Sequence, residues 1–262
     1  LATQGITLTM LILGAAFLIV VVGLAQLLVP PPKGYVPAGI AGVAASTAVK
    51  KYDYTPREMC GTSQFYLLWF MYACGSGAGL MIISKLAKIG LEQAGIQLGF
   101  VLVASLAVGN GAGRILAGSL SDKLGRQRTM LICFLFQAVL MYLLTLVAPN
   151  TALATIPVLA LLSALIGANY GANLALFPSI TKDYYGLKNF GVNYGLVFTS
   201  WGVGGFLLSQ LQAELYKRYG TFAYSCYAAA GLLVLAAAMT FVVHAPAAPQ
   251  PAPAREPDAA KV

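Results

Sequence analysis

Long apolar runs punctuated by short charged stretches organise this chain. A membrane-crossing helix needs about 20 mostly apolar residues, and seven windows meet that length: 6–29, 65–84, 98–118, 129–148, 152–177, 190–212 and 222–244. Most connections between them run to about 10–15 residues, but the first window is followed by the long stretch 30–64. Within it, Thr55-Pro56-Arg57-Glu58 has the form of a capping box, with threonine at the N-cap, proline at N1 and glutamate at N3. A short interfacial helix leading into the helix at 65 is expected there. The end of the chain, 245–262, is rich in Ala and Pro and is expected to be a disordered tail. The pattern predicts an all-α membrane protein with seven transmembrane helices: one helix over 1–29, a linker over 30–64, a six-helix bundle over 65–244 and a tail over 245–262. The first window is too long and too weakly flanked by charge for a cleavable signal. Because Leu1 is not a start methionine, we expect the chain to begin inside something larger.

Composition supports this class. Of 262 residues, 59% are hydrophobic and 9% charged, and the mean hydropathy is +0.78, whereas a soluble domain carries about a quarter charged residues. The net charge of +8 is scattered through short loops and forms no stripe, which argues against nucleic acid and for topogenic charge. With 30–64 placed in the cytoplasm, that side holds Lys33, Lys50, Lys51, Arg57, Lys123, Arg126, Arg128, Lys182, Lys188, Arg255 and Lys261; the other holds Lys85, Lys88, Lys217 and Arg218. The bias puts the linker and tail in the cytoplasm of a cell whose inner (plasma) membrane the chain crosses. Cys60, Cys74, Cys133 and Cys226 lack metal-binding or CxxC spacing and read as small apolar residues; neither metal nor cofactor is expected. The glycine runs around 75–79, 109–113 and 202–205 follow no strand and complete no nucleotide loop, so they read as sites of close helix packing.

Arg114 is the basic residue that belongs to neither side. It stands sixteen residues into its window, eight before Asp122, where an arginine costs about 2.5–3.5 kcal/mol if left at the membrane centre. It either snorkels to the interface or faces a water-filled path. Asp53, Glu58, Glu92, Asp122, Asp183, Glu214, Glu256 and Asp258 all lie in loops, at helix ends or in the tail, so no carboxylate of this chain is expected at its depth. A guanidinium in a cavity suits an anion, and a carboxylate above all. The absence of an acid or histidine at membrane depth also argues against an integral-membrane enzyme. Asn110, one helical turn before Arg114, shares its face. Tyr170 and Trp201 are candidates for an aromatic wall, while Asn169, Asn173 and Asn193 line either a pathway or interhelical contacts.

Residues 118–128, GSLSDKLGRQR, follow the pattern G-x-x-[AS]-D-x-x-G-R-[RKQ]-[RK] between two apolar windows. This resembles the loop signature of the major facilitator superfamily, found between the second and third helices of a six-helix half. The resemblance implies that 65–244 is the C-terminal bundle of a twelve-helix carrier and 6–29 its sixth helix, with the remaining N-terminal helices as its partner. Gly118 would then allow close helix contact and Gly125 a tight turn, while Asp122, Arg126 and Arg128 would bias one access state rather than touch substrate. Three stretches, YTPREMCGTSQFYLLWFMYACGSGAGLMI, GNGAGRILAGSLSDKLGRQR and ANYGANLALFPSITKDYYGLKNFGVNYGLVFTSWGVGG, look like the oxalate/formate antiporter family. In that family's oxalate exchangers an arginine and a lysine bracket a dianion. The arginine matches Arg114; the lysine position is occupied here by Trp201. Loss of one cation points to a small monocarboxylate, such as formate, lactate or pyruvate, moved by alternating access. Proton-coupled monocarboxylate carriers are similar in the same helix but place an aspartate where Asn110 stands. An oxalate/formate-type exchanger, a proton-coupled symporter and a transporter-like sensor remain as alternatives.

Overall fold

A computed structural model describes residues 2–29, 32 and 52–247. They form eight α-helices and a short 3-10 turn: α1 (Ala2–Ala25), α2 (Pro56–Cys60), α3 (Ser63–Ala94), α4 (Gly99–Leu124), α5 (Arg126–Thr145), α6 (Ile156–Tyr185), α7 (Phe190–Tyr219) and α8 (Ala223–Met239). The chain divides into two compact units at Lys50/Lys51. The first contains α1, apolar on all faces from Ile6 to Leu24. The second contains the other helices. Five helices among the described residues are long and apolar enough to cross a membrane: α1, α3, α4, α5 and α6. The two other windows gave helices that meet only one requirement each. α7 has 30 residues but carries Asn193, Gln210, Gln212 and Glu214 along its length, and α8 is apolar but has 17 residues.

The helix ends explain where the windows misplaced boundaries. α3 runs to Ala94, ten residues past its apolar window, so Lys85, Lys88 and Glu92 are helical; Gly95 ends it in the left-handed conformation, φ 69°. The expected loop at 118–128 is not a loop. Asp122 and Lys123 belong to the last turn of α4, Arg126 to Arg128 to the first turn of α5, and Gly125 alone makes the break. Its φ of 89° and ψ of 156° lie in a region essentially confined to glycine. The last helix stops at Met239 rather than 244, and residues 243–247 continue without regular structure. Of the linker and tail, residues 30, 31, 33–51 and 248–262 lie outside the described residues.

The second unit is built from helix pairs. The most extensive packing is α4 on α6, then α3 on α7 and α5 on α8. Small residues make the first two possible. A Cβ on Gly109 or Gly113 of α4 would run into the backbone of Ala164 or Ala168, and a Cβ on Gly167 or Gly171 of α6 into the backbone of Leu106 or Asn110. Two four-residue glycine spacings thus interlock, each helix lending its bare backbone to the other. Gly77 and Gly204 do the same for α3 and α7. Around these seams lies a core including Tyr72, Phe134, Phe177 and Tyr185, all essentially inaccessible; Tyr72 and Phe177 stack at 4.1 Å.

Candidate functional site

Arg114 emerges from α4 one turn beyond Asn110, and its Nε donates to Asn110 Oδ1 at 3.4 Å. The residue is exposed, and it forms no ion pair among the described residues. The Asn110 turn lies against Gly171 of α6. The preceding residue, Tyr170, accepts a hydrogen bond from Trp201 Nε1 of α7 at 2.9 Å. Tyr72 of α3 pairs with Tyr194 of α7 through hydroxyls 3.4 Å apart. Phe198 stacks on Trp201 at 5.4 Å, 8° from parallel, and Tyr194 tilts against Phe198 at 5.6 Å. Arg114 and Asn110 on α4, Tyr170 on α6 and the stacked rings of α7 are thus linked in sequence by packing and hydrogen bonds. A cation with hydroxyl donors can hold an anion by charge and hydrogen bonds, and stacked rings can offer its remainder an aromatic wall.

Two of the asparagines lie elsewhere. Asn173 turns toward Gly75 of α3, and its Nδ2 donates to the Asn169 carbonyl at 3.0 Å. Asn193 is fully buried, and its Nδ2 donates to the Tyr54 carbonyl at 3.0 Å. Both satisfy backbone or packing requirements of the bundle rather than joining Arg114.

The α4–α5 break carries an ion network. Arg126 pairs with Asp122 at 2.8 Å and, through Nε, with Asp183 of α6 at 3.0 Å; it also donates to Ser121 Oγ. Asp183 was not among the sequence candidates, and its position in the last turn of α6 was the available signal. Gln127 donates to the Tyr184 hydroxyl at 3.1 Å and to the Val243 carbonyl. Arg126, Gln127, Arg128, Asp183, Tyr184 and His244 line a cavity of about 330 Å³. Among the described residues Gly118 makes no close helix contact, since a Cβ there would meet nothing within 4 Å, and the close approach of α4 to α6 is made by Gly109 and Gly113.

Beside this network sits a clamp that sequence reading missed. Asp53 Oδ1 accepts from the backbone N–H groups of Leu187 and Lys188, at 2.9 and 3.1 Å. Gly186, with φ 82°, leaves room for it, since a Cβ there would strike the Asp53 carboxylate. Tyr54 N donates to the Tyr185 carbonyl at 3.0 Å, and the Tyr54 carbonyl accepts from Asn189 and Asn193. The Tyr54 ring packs edge-on against Tyr185 at 5.4 Å, and its hydroxyl donates to the Ala247 carbonyl at 2.6 Å. Next to it the capping box is formed as expected. Glu58 accepts from Thr55 N at 2.7 Å and from the Tyr52 hydroxyl at 2.7 Å. The Thr55 N–H, with the Tyr52 hydroxyl second, holds the Glu58 carboxyl below its ordinary value.

The family model of the Major Facilitator Superfamily matches residues 65–262. The chain belongs to this superfamily. Family and apolar helices together make it a multi-pass membrane protein, and the residues matched include every helix from α4 onward. Among curated relatives, an E. coli (strain K12) protein described as the uncharacterised MFS-type transporter YhjX is 30% identical over 206 residues, 78% of this chain and 48% of that protein. The oxalate:formate antiporter of Oxalobacter formigenes is 29% identical over 185 residues, 70% of this chain and 43% of that protein. A 38 kDa protein from a 23S RNA operon of Thermoproteus tenax is 29% identical over 217 residues, 81% of this chain and 51% of that protein. The chain spans about half the length of the curated relatives it matches. The chain resembles the oxalate/formate antiporter family.

Proposed function

We propose that the chain is helix six and the C-terminal six-helix bundle of a twelve-helix carrier that moves a small monocarboxylate by alternating access, with the anion seated on Arg114. The observation that carries this reading is Arg114 itself. It is an exposed guanidinium sixteen residues into α4 whose described hydrogen-bond neighbour is an amide that cannot neutralise it. A bound anion would complete that partnership. Trp201, where the family's exchangers keep a lysine, leaves one cation on this half, which suits one carboxylate. Asn110 hydrogen-bonds but does not titrate, so this helix supplies no coupling proton. The Asp122–Arg126–Asp183 network and Arg128 would act at the cytoplasmic gate, with linker and tail on the same side.

The test is anion uptake into proteoliposomes by the complete carrier, offering formate, acetate, lactate, pyruvate and oxalate with and without a proton gradient. Selective monocarboxylate flux is expected, and Arg114→Gln should lower it at least about tenfold, the loss of a charge-assisted hydrogen bond. Unchanged flux in Arg114→Gln would sink the reading. A second reading, dicarboxylate exchange, is favoured by the oxalate:formate antiporter among the relatives; it requires a second cation from the other half, and oxalate exchange in the same panel would select it. Flux that follows the proton gradient would mean a symporter, and binding without flux a sensor.

A further inference from the structure

The bond between Trp201 and Tyr170 has a direction. An indole N–H donates and has no acceptor capacity, so at 2.9 Å the Tyr170 oxygen must be the acceptor. Its own proton therefore points away from α7, and among the described residues no side-chain or backbone acceptor receives it. The ring cannot swing freely to find one. Tyr170 is 7% exposed, and its ring fills the space left by Gly79 of α3. Its neighbour Gly171 abuts the Asn110 turn of α4, from which the Arg114 guanidinium is held at 3.4 Å. A cation from α4 and an unclaimed hydroxyl donor from α6 thus leave turns that pack against one another. The Phe198–Trp201 stack lies behind the hydroxyl.

We infer that Trp201 is a positioning residue: it fixes Tyr170 as a hydrogen-bond donor to the carboxylate on Arg114, so that one cation and one neutral donor grip a single carboxylate. This inference rests on the substrate reading above and adds to it a class of substrate. The second site member is a neutral hydroxyl flanked by stacked rings, so what lies beyond the carboxylate is an uncharged, flat or apolar group rather than a second anion. A dianion placed here would set its far charge against aromatic faces, whose electron-rich surfaces repel it.

The experiment is concentration-dependent monocarboxylate uptake by the complete carrier in proteoliposomes, for Tyr170→Phe, Trp201→Phe, the double variant, Trp201→His and Arg114→Gln. Trp201→Phe keeps an aromatic ring and removes the N–H; Trp201→His restores a ring N–H. Tyr170→Phe and Trp201→Phe should each raise KM about tenfold, the loss of a hydrogen bond to a charged group, with the maximal rate within about twofold. The double variant should be no worse than Tyr170→Phe, and Trp201→His should recover part of the affinity. Unchanged KM in Trp201→Phe overturns the inference, as do multiplicative effects in the double variant, which would place the indole on the substrate itself. If Tyr170→Phe fails to run as a monodisperse species in detergent, the comparison of Trp201→Phe with Trp201→His decides. Full activity in Arg114→Gln instead removes the substrate reading beneath the inference, so the two failures are separate.

Discussion

Replacing Trp201 by lysine is the most direct way to ask how one side chain selects charge. The oxalate exchangers that this chain resembles carry a lysine there, and a second cation pays for holding a second carboxylate. Trp201→Lys in the complete carrier is expected to raise oxalate uptake at least about tenfold relative to monocarboxylate, the effect of one charge-assisted contact; uptake ratios in proteoliposomes measure it. Glu58 allows a second residue-scale test. Its carboxyl is held below the ordinary 4.5, so the folded capping box prefers the carboxylate. That contribution is present above the unfolded value and is lost as pH falls through the folded one. A carbon-NMR titration of Glu58 should give a midpoint below 4.5, and Tyr52→Phe should return it part of the way. The capping box was legible in Thr55-Pro56-Arg57-Glu58 because its partners lie within three residues. Tyr52 was not, since nothing in the spacing says that its hydroxyl folds back onto Glu58.

At the level of elements, the decisive features are bare backbones. Gly109 and Gly113 face Ala164 and Ala168, and Gly167 and Gly171 face Leu106 and Asn110, so α4 and α6 meet without intervening side chains. Apolar lipid gives helices little hydrophobic reason to associate, and such close packing supplies the dispersion contact that does. Gly113→Val cannot be absorbed by a side-chain shift, because its Cβ would meet backbone. It should destabilise the bundle by at least about 1–3 kcal/mol, seen as a lower thermal midpoint in detergent, whereas Gly111→Ala, with open space around it, should be near neutral. The glycine runs announced close packing in the sequence, but their partner did not follow from it. Gly109 and Gly113 read as part of one run with Gly111 until α6 was placed beside them. Gly125 is a third case: its backbone geometry is one that Cβ opposes, and Gly125→Ala should cost about 1–3 kcal/mol by the same assay.

For the six-helix unit as a whole, the Asp53–Tyr54 clamp ties the entry to α3, the α6–α7 corner and the segment after α8 into one piece. Leu187 and Lys188 amides are held by a carboxylate 134 and 135 residues away in sequence. Asp53→Ala should leave the spans intact and speed hydrogen exchange at Leu187 and Lys188 at least about tenfold, the loss of a hydrogen bond to a charged group, read by mass spectrometry; Asp53→Asn, which keeps an acceptor oxygen, should have a smaller effect. Protection unchanged in Asp53→Ala would mean that the corner is held by α6 and α7 alone.

The sequence by itself determined the helical class, the membrane setting and the superfamily. Each of these rests on local quantities: the length of an apolar run, the sparsity of charge within a window, the spacing of a motif. What only the tertiary structure decided was which groups meet. It assigned Asn193 to the Tyr54 backbone, brought Asp183 to Arg126, gave Gly109 and Gly113 their partners on α6, and gave Trp201 a hydroxyl partner on another helix. Those pairings depend on how helices are rotated and offset against one another, and in lipid that choice is made by steric fit and buried hydrogen bonds between residues far apart in the chain.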